Sequence, residues 1–204
     1  RVNPLDVPQV FDSQLAGVVW IAGPVFGFLN LLPILPLDGG HVLSGALEHK
    51  DSMGNTTIIR NGDIQVMSAG TGIYHSEYNA SATEPLKFLQ IWLQPNQQGG
   101  EPGYQQKDFK AEPGLTLVIS PDGRDGTLQI KQDAYLSQLL LSEHDVIELP
   151  VTAKRNFYLH LITGELELNG TPMQPGDGAK ISQQTELTAL AGTGPVKALW
   201  FDLP

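Results

Sequence analysis

The sequence predicts an all-β protein built as a duplicated β-sandwich in one chain. Three observations carry that expectation. The 204 residues include Gly 22 and Pro 15, and only 17% are charged, a composition that favours turn-rich strands over helices. From His41 onward, short alternating or β-rich runs are separated by turn clusters. One pattern also occurs twice. Leu43-Ser44-Gly45-Ala46-Leu47-Glu48 precedes a turn and Gly62-Asp63, and Ile162-Thr163-Gly164-Glu165-Leu166-Glu167 precedes Asn169-Gly170 and Pro175-Gly176-Asp177. A strand, a glycine, an alternating strand, a turn and then Gly-Asp, repeated at a distance, is how a duplicated sandwich reads.

In chain order, Arg1 to Gln14 is polar and reads as loop. Leu15 to Leu37 carries no charged residue. As a helix it would run about 35 Å at ~1.5 Å per residue, long enough to cross a bilayer. Pro24, Pro33 and Pro36 oppose a continuous helix, so a buried irregular segment is the competing reading. A secretory signal is disfavoured, because no basic stretch precedes the segment and no small-residue cleavage site follows. Val42 to His49 reads as a strand with a glycine bend, Thr56 to Arg60 and Ile64 to Met67 as strands around the Asn61-Gly62 turn, and Leu86 to Leu93 as another strand. Pro95 to Gly103 reads as a long loop. In Glu165-Leu166-Glu167-Leu168 the carboxylates alternate with leucines, the pattern of a half-solvated strand.

The totals exclude several functions. A formal charge of −10 with pI near 4.8 and no basic cluster disfavours nucleic acid and anionic lipid as partners. With no cysteine there is no disulfide, thiolate metal site or cysteine nucleophile, which suits a cytoplasmic protein. The chain opens on Arg1 rather than Met and so reads as a fragment or processed product. Gly70-Thr71-Gly72 has no following helix to make a phosphate site. Pro121 to Gly126 lacks the far acidic ligand of a calcium loop and reads as a double turn.

The chemistry concentrates in Asn61 to Asn79. On a strand, residues i and i+2 share a face, so His75 and Glu77 project side by side. Imidazole and carboxylate are natural ligands for a first-row divalent ion. The competing reading is a surface pair on an edge strand.

Two resemblances bear on this. Asn30 to Gly40, N-L-L-P-I-L-P-L-D-G-G, resembles the signature of site-2-protease-type intramembrane zinc metalloproteases. The resemblance makes Asp38 a zinc ligand, but its partner H-E-x-x-H motif occurs nowhere in the chain, so that site cannot be assembled here. The larger resemblance rests on VLSGALEHKDSMGN, NGDIQVMSAGTGIYHSEYN, QIWLQPN, EPGYQQKDF, SPDGRDGTLQIKQDA and the terminal LWFDLP. From about Val42 to Pro204 the chain resembles the pirin family of the cupin superfamily, in particular its bacterial quercetin 2,3-dioxygenase-like members.

That resemblance implies a bicupin, two jelly-roll β-sandwich lobes in one chain, whose N-terminal lobe holds one metal through three histidines and a glutamate. His75 and Glu77 match the second ligand pair, H-x-E. The first pair, H-x-H, is missing: its positions hold Leu31, Leu32 and Pro33. The implied organisation is an apolar segment over residues 1–40, a partial metal-type lobe over 41–118 and a metal-free lobe over 119–204. The implied chemistry is flavonol cleavage by dioxygen at a divalent ion, iron foremost, with Glu77 as general base, impaired by the missing pair. The alternatives are a non-enzymatic cupin binding or regulatory module, and a protease fragment fused to a cupin. His41, His49 and Asp38 are the residues that can fill the vacancy, whereas His144 and His160 read as structural. The implied partner is a small flavonol-type molecule, a membrane is reachable only through residues 15–37, and an incomplete lobe with an open sheet edge favours a homodimer.

Overall fold

A computed structural model of the chain describes residues 16–23, 28–29, 37–97, 99–110 and 112–204. It is all-β apart from one 3-10 turn at Arg124–Gly126. The chain divides into two compact units. One comprises the described residues up to Lys110 together with Leu128–Gln132, and the other residues 112–127 and Asp133–Pro204.

The first unit holds β1 (Ala16–Gly23), β2 (Phe28–Leu29), β3 (Leu37–Ser44), β4 (Ala46–Asp51), β5 (Thr56–Arg60), β6 (Asp63–Ser68), β7 (His75–Asn79), β8 (Leu86–Leu93), β9 (Gly103–Asp108) and β11 (Leu128–Gln129). All of these but β11 lie in a five-stranded sheet in the order β1-β8-β3-β6-β9 and a four-stranded sheet β2-β7-β4-β5. Sequence alternation explains the sandwich. Leu47 and Ile59 point inward from one sheet and Val42, Leu86 and Phe88 from the other, and together they form a buried apolar cluster.

The apolar stretch predicted as helix or irregular segment contributes strands instead. Ala16–Gly23 pairs along its whole length with Leu86–Leu93, antiparallel, from Ala16↔Leu93 to Gly23↔Leu86. Phe28–Leu29 pairs with Ser76 and Glu77. Val18, Val19 and Ile21 favour strand, and pairing to a preformed neighbour outweighs what the sequence offers locally. Among the described residues the larger sheet therefore ends at β1 rather than at β8. No helix among the described residues is long and apolar enough to cross a membrane. Leu31, Leu32 and Pro33, which stand where the H-x-H pair is expected, lie outside the described residues, as does the predicted loop of residues 1–14. Asp38 falls on β3, opposite Met67 and Trp92.

The second unit holds β10 (Gly114–Ser120), β12 (Tyr135–Leu141), β13 (Val146–Glu148), β14 (Asn156–Thr163), β15 (Leu166–Leu168), β16 (Thr171–Met173), β17 (Gly178–Ser182), β18 (Thr188–Ala191) and β19 (Val196–Leu203). Strands β10-β12-β19-β14-β17 run side by side in one sheet, and β13-β18-β15-β16 form the other. Its apolar core gathers Leu139, Leu159, Leu161, Leu166, Ala189, Ala198 and others around Phe157 and Trp200, whose rings stack at 5.2 Å.

The internal repeat is structural as well as sequential. Gly45 and Gly164 both take positive φ, 81° and 85°. A Cβ at Gly45 would meet the Pro85 carbonyl oxygen at 2.7 Å, and one at Gly164 would meet the Pro195 carbonyl oxygen at 2.5 Å. Each glycine follows an irregularity in its sheet, between Val42 and Ser44 and between Leu161 and Thr163. The Gly-Asp turns correspond too. Asp63 Oδ2 accepts from the Arg60 N–H and Asp177 Oδ2 from the Gln174 N–H, each at 2.8 Å.

Candidate functional site

The register of β4 and β7 builds the site. Opposite residues in an antiparallel pair share a face, and here His49 lies opposite Glu77 and Asp51 opposite His75. Two imidazoles and two carboxylates thus form a quartet on the inward face. Beyond Leu47, which belongs to the apolar core, the same strand presents His49 and then Asp51. His49, His75 and Glu77 are all buried, at 0%, 6% and 4% exposure. The reading of His75 and Glu77 as a surface edge pair does not describe this geometry.

Glu77 is gripped from the facing sheet. Gln65 on β6 donates its Nε2–H to Glu77 Oε1 at 2.6 Å. Gly40 leaves room for this, since a Cβ there would come within 2.9 Å of Gln65 Nε2. His49 Nδ1 lies 3.9 Å from the same carboxylate oxygen, beyond hydrogen-bond reach. On its other side, His49 Nε2 is 3.3 Å from Asp51 Oδ2.

Asp51 is itself fixed. Burial pushes its carboxyl pKa up, but this is outweighed by donors from the Asn55 side chain and backbone, His49 and Met53 N–H, so it sits below the usual carboxylate value. A carboxylate only accepts, so the proton in that contact is on His49 Nε2. The His49 ring stacks between Tyr104, at 4.8 Å, and His75, at 5.5 Å. Tyr104 is anchored through its hydroxyl to Thr57 Oγ1 at 2.8 Å and Gln106 Oε1 at 3.0 Å. Burial, and then the Glu77 and Asp51 charges, hold its phenol above its ordinary pKa against the Thr57 hydrogen bond.

The donor chemistry suits a borderline divalent ion. Two buried side-chain atoms beside the Glu77 carboxylate, His49 Nδ1 and Gln65 Oε1, make no hydrogen bond. Among the described residues, however, no three His, Asp or Glu side chains are grouped as a ready metal cage.

The two sequence-predicted residues are thus brought together. His49, which the sequence offered only as one of three substitutes, is in direct reach of them. His41 is buried on β3, paired with Ile64 and Leu89, and is not part of the quartet. Gln65, Tyr104 and Asp51 gave no signal in the sequence, where they read as ordinary strand and turn residues. In the second lobe His144 is exposed in a turn and His160 is buried on β14.

Comparison with known proteins gives this arrangement its relatives. The pirin family profile matches residues 40–93, and that of the quercetinase C-terminal cupin domain matches residues 117–203. Residues 15–39, with most of the protease-like motif, precede both. A quercetin 2,3-dioxygenase of Escherichia coli K12 is 40% identical over 164 residues, covering 80% of this chain and 71% of that protein. The crystal structure of YhhW from Escherichia coli superposes with a TM-score of 0.84 at 36% identity, over 93% of this chain and 80% of that one. The structure of bacterial pirin YhhW in complex with nickel(II) gives 0.81, also at 36% identity and with the same coverage. With its two all-β lobes, its H-x-E pair on an inward-facing strand and relatives this similar across both lobes, the chain belongs to the pirin family of cupin proteins.

Proposed function

We propose that this chain is a metal-dependent pirin of quercetin 2,3-dioxygenase type, working on a flavonol in the cytoplasm, with activity impaired by the loss of the H-x-H pair. The observation that carries this reading is the burial of His75 and Glu77 side by side within the N-terminal lobe, in a chain 40% identical to a quercetin 2,3-dioxygenase. His75 and Glu77 would hold a divalent ion, iron foremost, which when bound supplies the redox chemistry that lets flavonol and dioxygen react.

The chain's own residues do the rest. Glu77 takes the proton of the substrate hydroxyl as general base. Gln65 holds Oε1 and so leaves Oε2 as the basic atom. Val42, Leu47, Ile59, Leu86 and Phe88 close one end of the interior against water, which strengthens every charge interaction at the site. The second lobe, with its apolar interior, has no part in the chemistry.

A second reading, a non-enzymatic cupin binding or regulatory module, is favoured by the lack of a ready three-ligand cage among the described residues. Metal analysis and quercetin depletion separate the two. The dioxygenase reading expects about one equivalent of divalent metal per chain and slow quercetin loss. Turnover should rise at least about tenfold when Leu31→His and Pro33→His restore four ligands, since metal affinity follows ligand number. Metal below a tenth of an equivalent, with no quercetin loss in either protein, leaves the binding module.

A further inference from the structure

We propose that Trp92 and Tyr104 bind the two ends of a flat, three-ring flavonol-type molecule laid across the inner face of the larger sheet of the first lobe. The inference rests on the reading of this chain as a pirin that takes a flavonol. It adds to that reading the residues that select the ligand's shape, neither of them a metal ligand.

Successive ladder rows cross that face. Phe88 lies opposite Val42. Two residues further along the strands, Gln90 lies opposite Gly40, Gly40 opposite Gln65 and Gln65 opposite Gln106. The next such row runs through Trp92, Asp38, Met67 and Tyr104. Phe88 and Val42 pack with Leu47 and Ile59 of the other sheet. Residues two apart on a strand share a face, so Gln90 and Trp92 face inward as well. Two separate contacts agree on the far strands: Gln65 reaches Glu77, and Tyr104 stacks on His49.

The rows differ in chemistry. Phe88 and Val42 make a dry floor, and Gln90 and Gln65 above them are also buried. Trp92 and Tyr104 are only partly buried, so the aromatic row is the one within a ligand's reach. Tyr104 is fixed there. It packs against Met67, Ala69 and Ile73, and its hydroxyl is tied to Thr57 and Gln106.

Spacing selects length. Strands β8 and β9 are separated by β3 and β6, so at about 4.8 Å per strand Trp92 and Tyr104 stand roughly 14 Å apart. One aromatic ring cannot touch both, whereas three rings in line can. The end rings then stack on Trp92 and Tyr104, and the middle ring lies over Met67, one row from Gln65. Gln65 Oε1 is buried and makes no hydrogen bond, while its amide nitrogen is on Glu77. A hydroxyl on the middle ring donates to that oxygen, beside the carboxylate read as the general base.

The test uses the full chain as purified and quercetin, under argon so that none is consumed. Calorimetric titration compares the wild type, Trp92→Ala, Trp92→Phe, Tyr104→Ala and, as an exposed-tyrosine control, Tyr78→Ala. Affinity should fall at least about tenfold in Trp92→Ala and in Tyr104→Ala, and stay within about threefold in Trp92→Phe, which keeps an aromatic face. Tyr78→Ala should bind as the wild type does. The indole N–H resonances of the wild type give a second readout that needs no alanine variant to fold. That of Trp92, identified by its loss in Trp92→Phe, should shift on adding quercetin. That of Trp200, buried in the core of the second lobe, should not.

Quercetin bound by the wild type with the Trp92 resonance unmoved, or with unchanged affinity in either alanine variant, overturns the role of the aromatic row and leaves the flavonol reading standing. Failure of the wild type to bind quercetin at all overturns both.

Discussion

Buried on β14, His160 is held at a pKa of about 4, first by loss of solvent and against a weaker opposing pull from Asp177. Its ordinary value is 6.5, so between the two the unfolded chain binds the extra proton and the folded chain does not. Stability is therefore complete above about pH 6.5 and is lost as pH falls toward 4, by ~3 kcal/mol from this one group. Urea midpoints followed from pH 7 to 4 should fall less steeply in His160→Gln than in the wild type. Equal slopes would show that other groups govern the acid limb. The quartet of His49, Asp51, His75 and Glu77 shows the opposite use of burial. There the polar groups answer one another across two strands, His49 opposite Glu77 and Asp51 opposite His75.

At the scale of elements, the paired glycines decide how each lobe turns from one sheet to the other. Gly45 and Gly164 occupy a backbone region that costs a non-glycine residue about 1–3 kcal/mol, and both press on a carbonyl oxygen. Gly45→Ala and Gly164→Ala should each lose at least about 2 kcal/mol in denaturant unfolding. Gly54, also at positive φ but with open space around it, should lose only about 1 kcal/mol as Gly54→Ala. A comparable cost at all three positions would mean that the close approach contributes nothing. Strand β1 makes a related point. Its eight residues pair in full with β8, so the ladder adds to the strand preference of Val18, Val19 and Ile21.

For the whole molecule, charge and core divide the work between lobes. Each unit buries its own apolar cluster, and the first also buries His49, His75 and Glu77 together on neighbouring strands. Truncations such as Phe88→Ala and Leu161→Ala should each cost about 3–5 kcal/mol. The formal charge of −10 repels polyanions over the whole surface. Gel shift with duplex DNA should find no complex even at low salt, where any phosphate contact is strongest. A salt-sensitive shift would reveal a basic patch that the composition conceals.

The sequence by itself determined the all-β class, the duplicated lobes and the family. It also placed His75 and Glu77 on one face, because strand alternation needs only local spacing. The Gly-Asp turns and bend glycines are equally local, which is why the repeat was legible before any packing was known. What the tertiary structure decided is everything that depends on register between strands far apart in the chain. Gln65 meets Glu77 because Gly40 leaves the space across the sheet. His49 reaches Glu77 because β4 and β7 align at that residue. Residues 16–23 of the apolar stretch are strand because β8 offers them a ladder. A single sequence records the preferences of each segment, and pairing energy, which is non-local, selects among them.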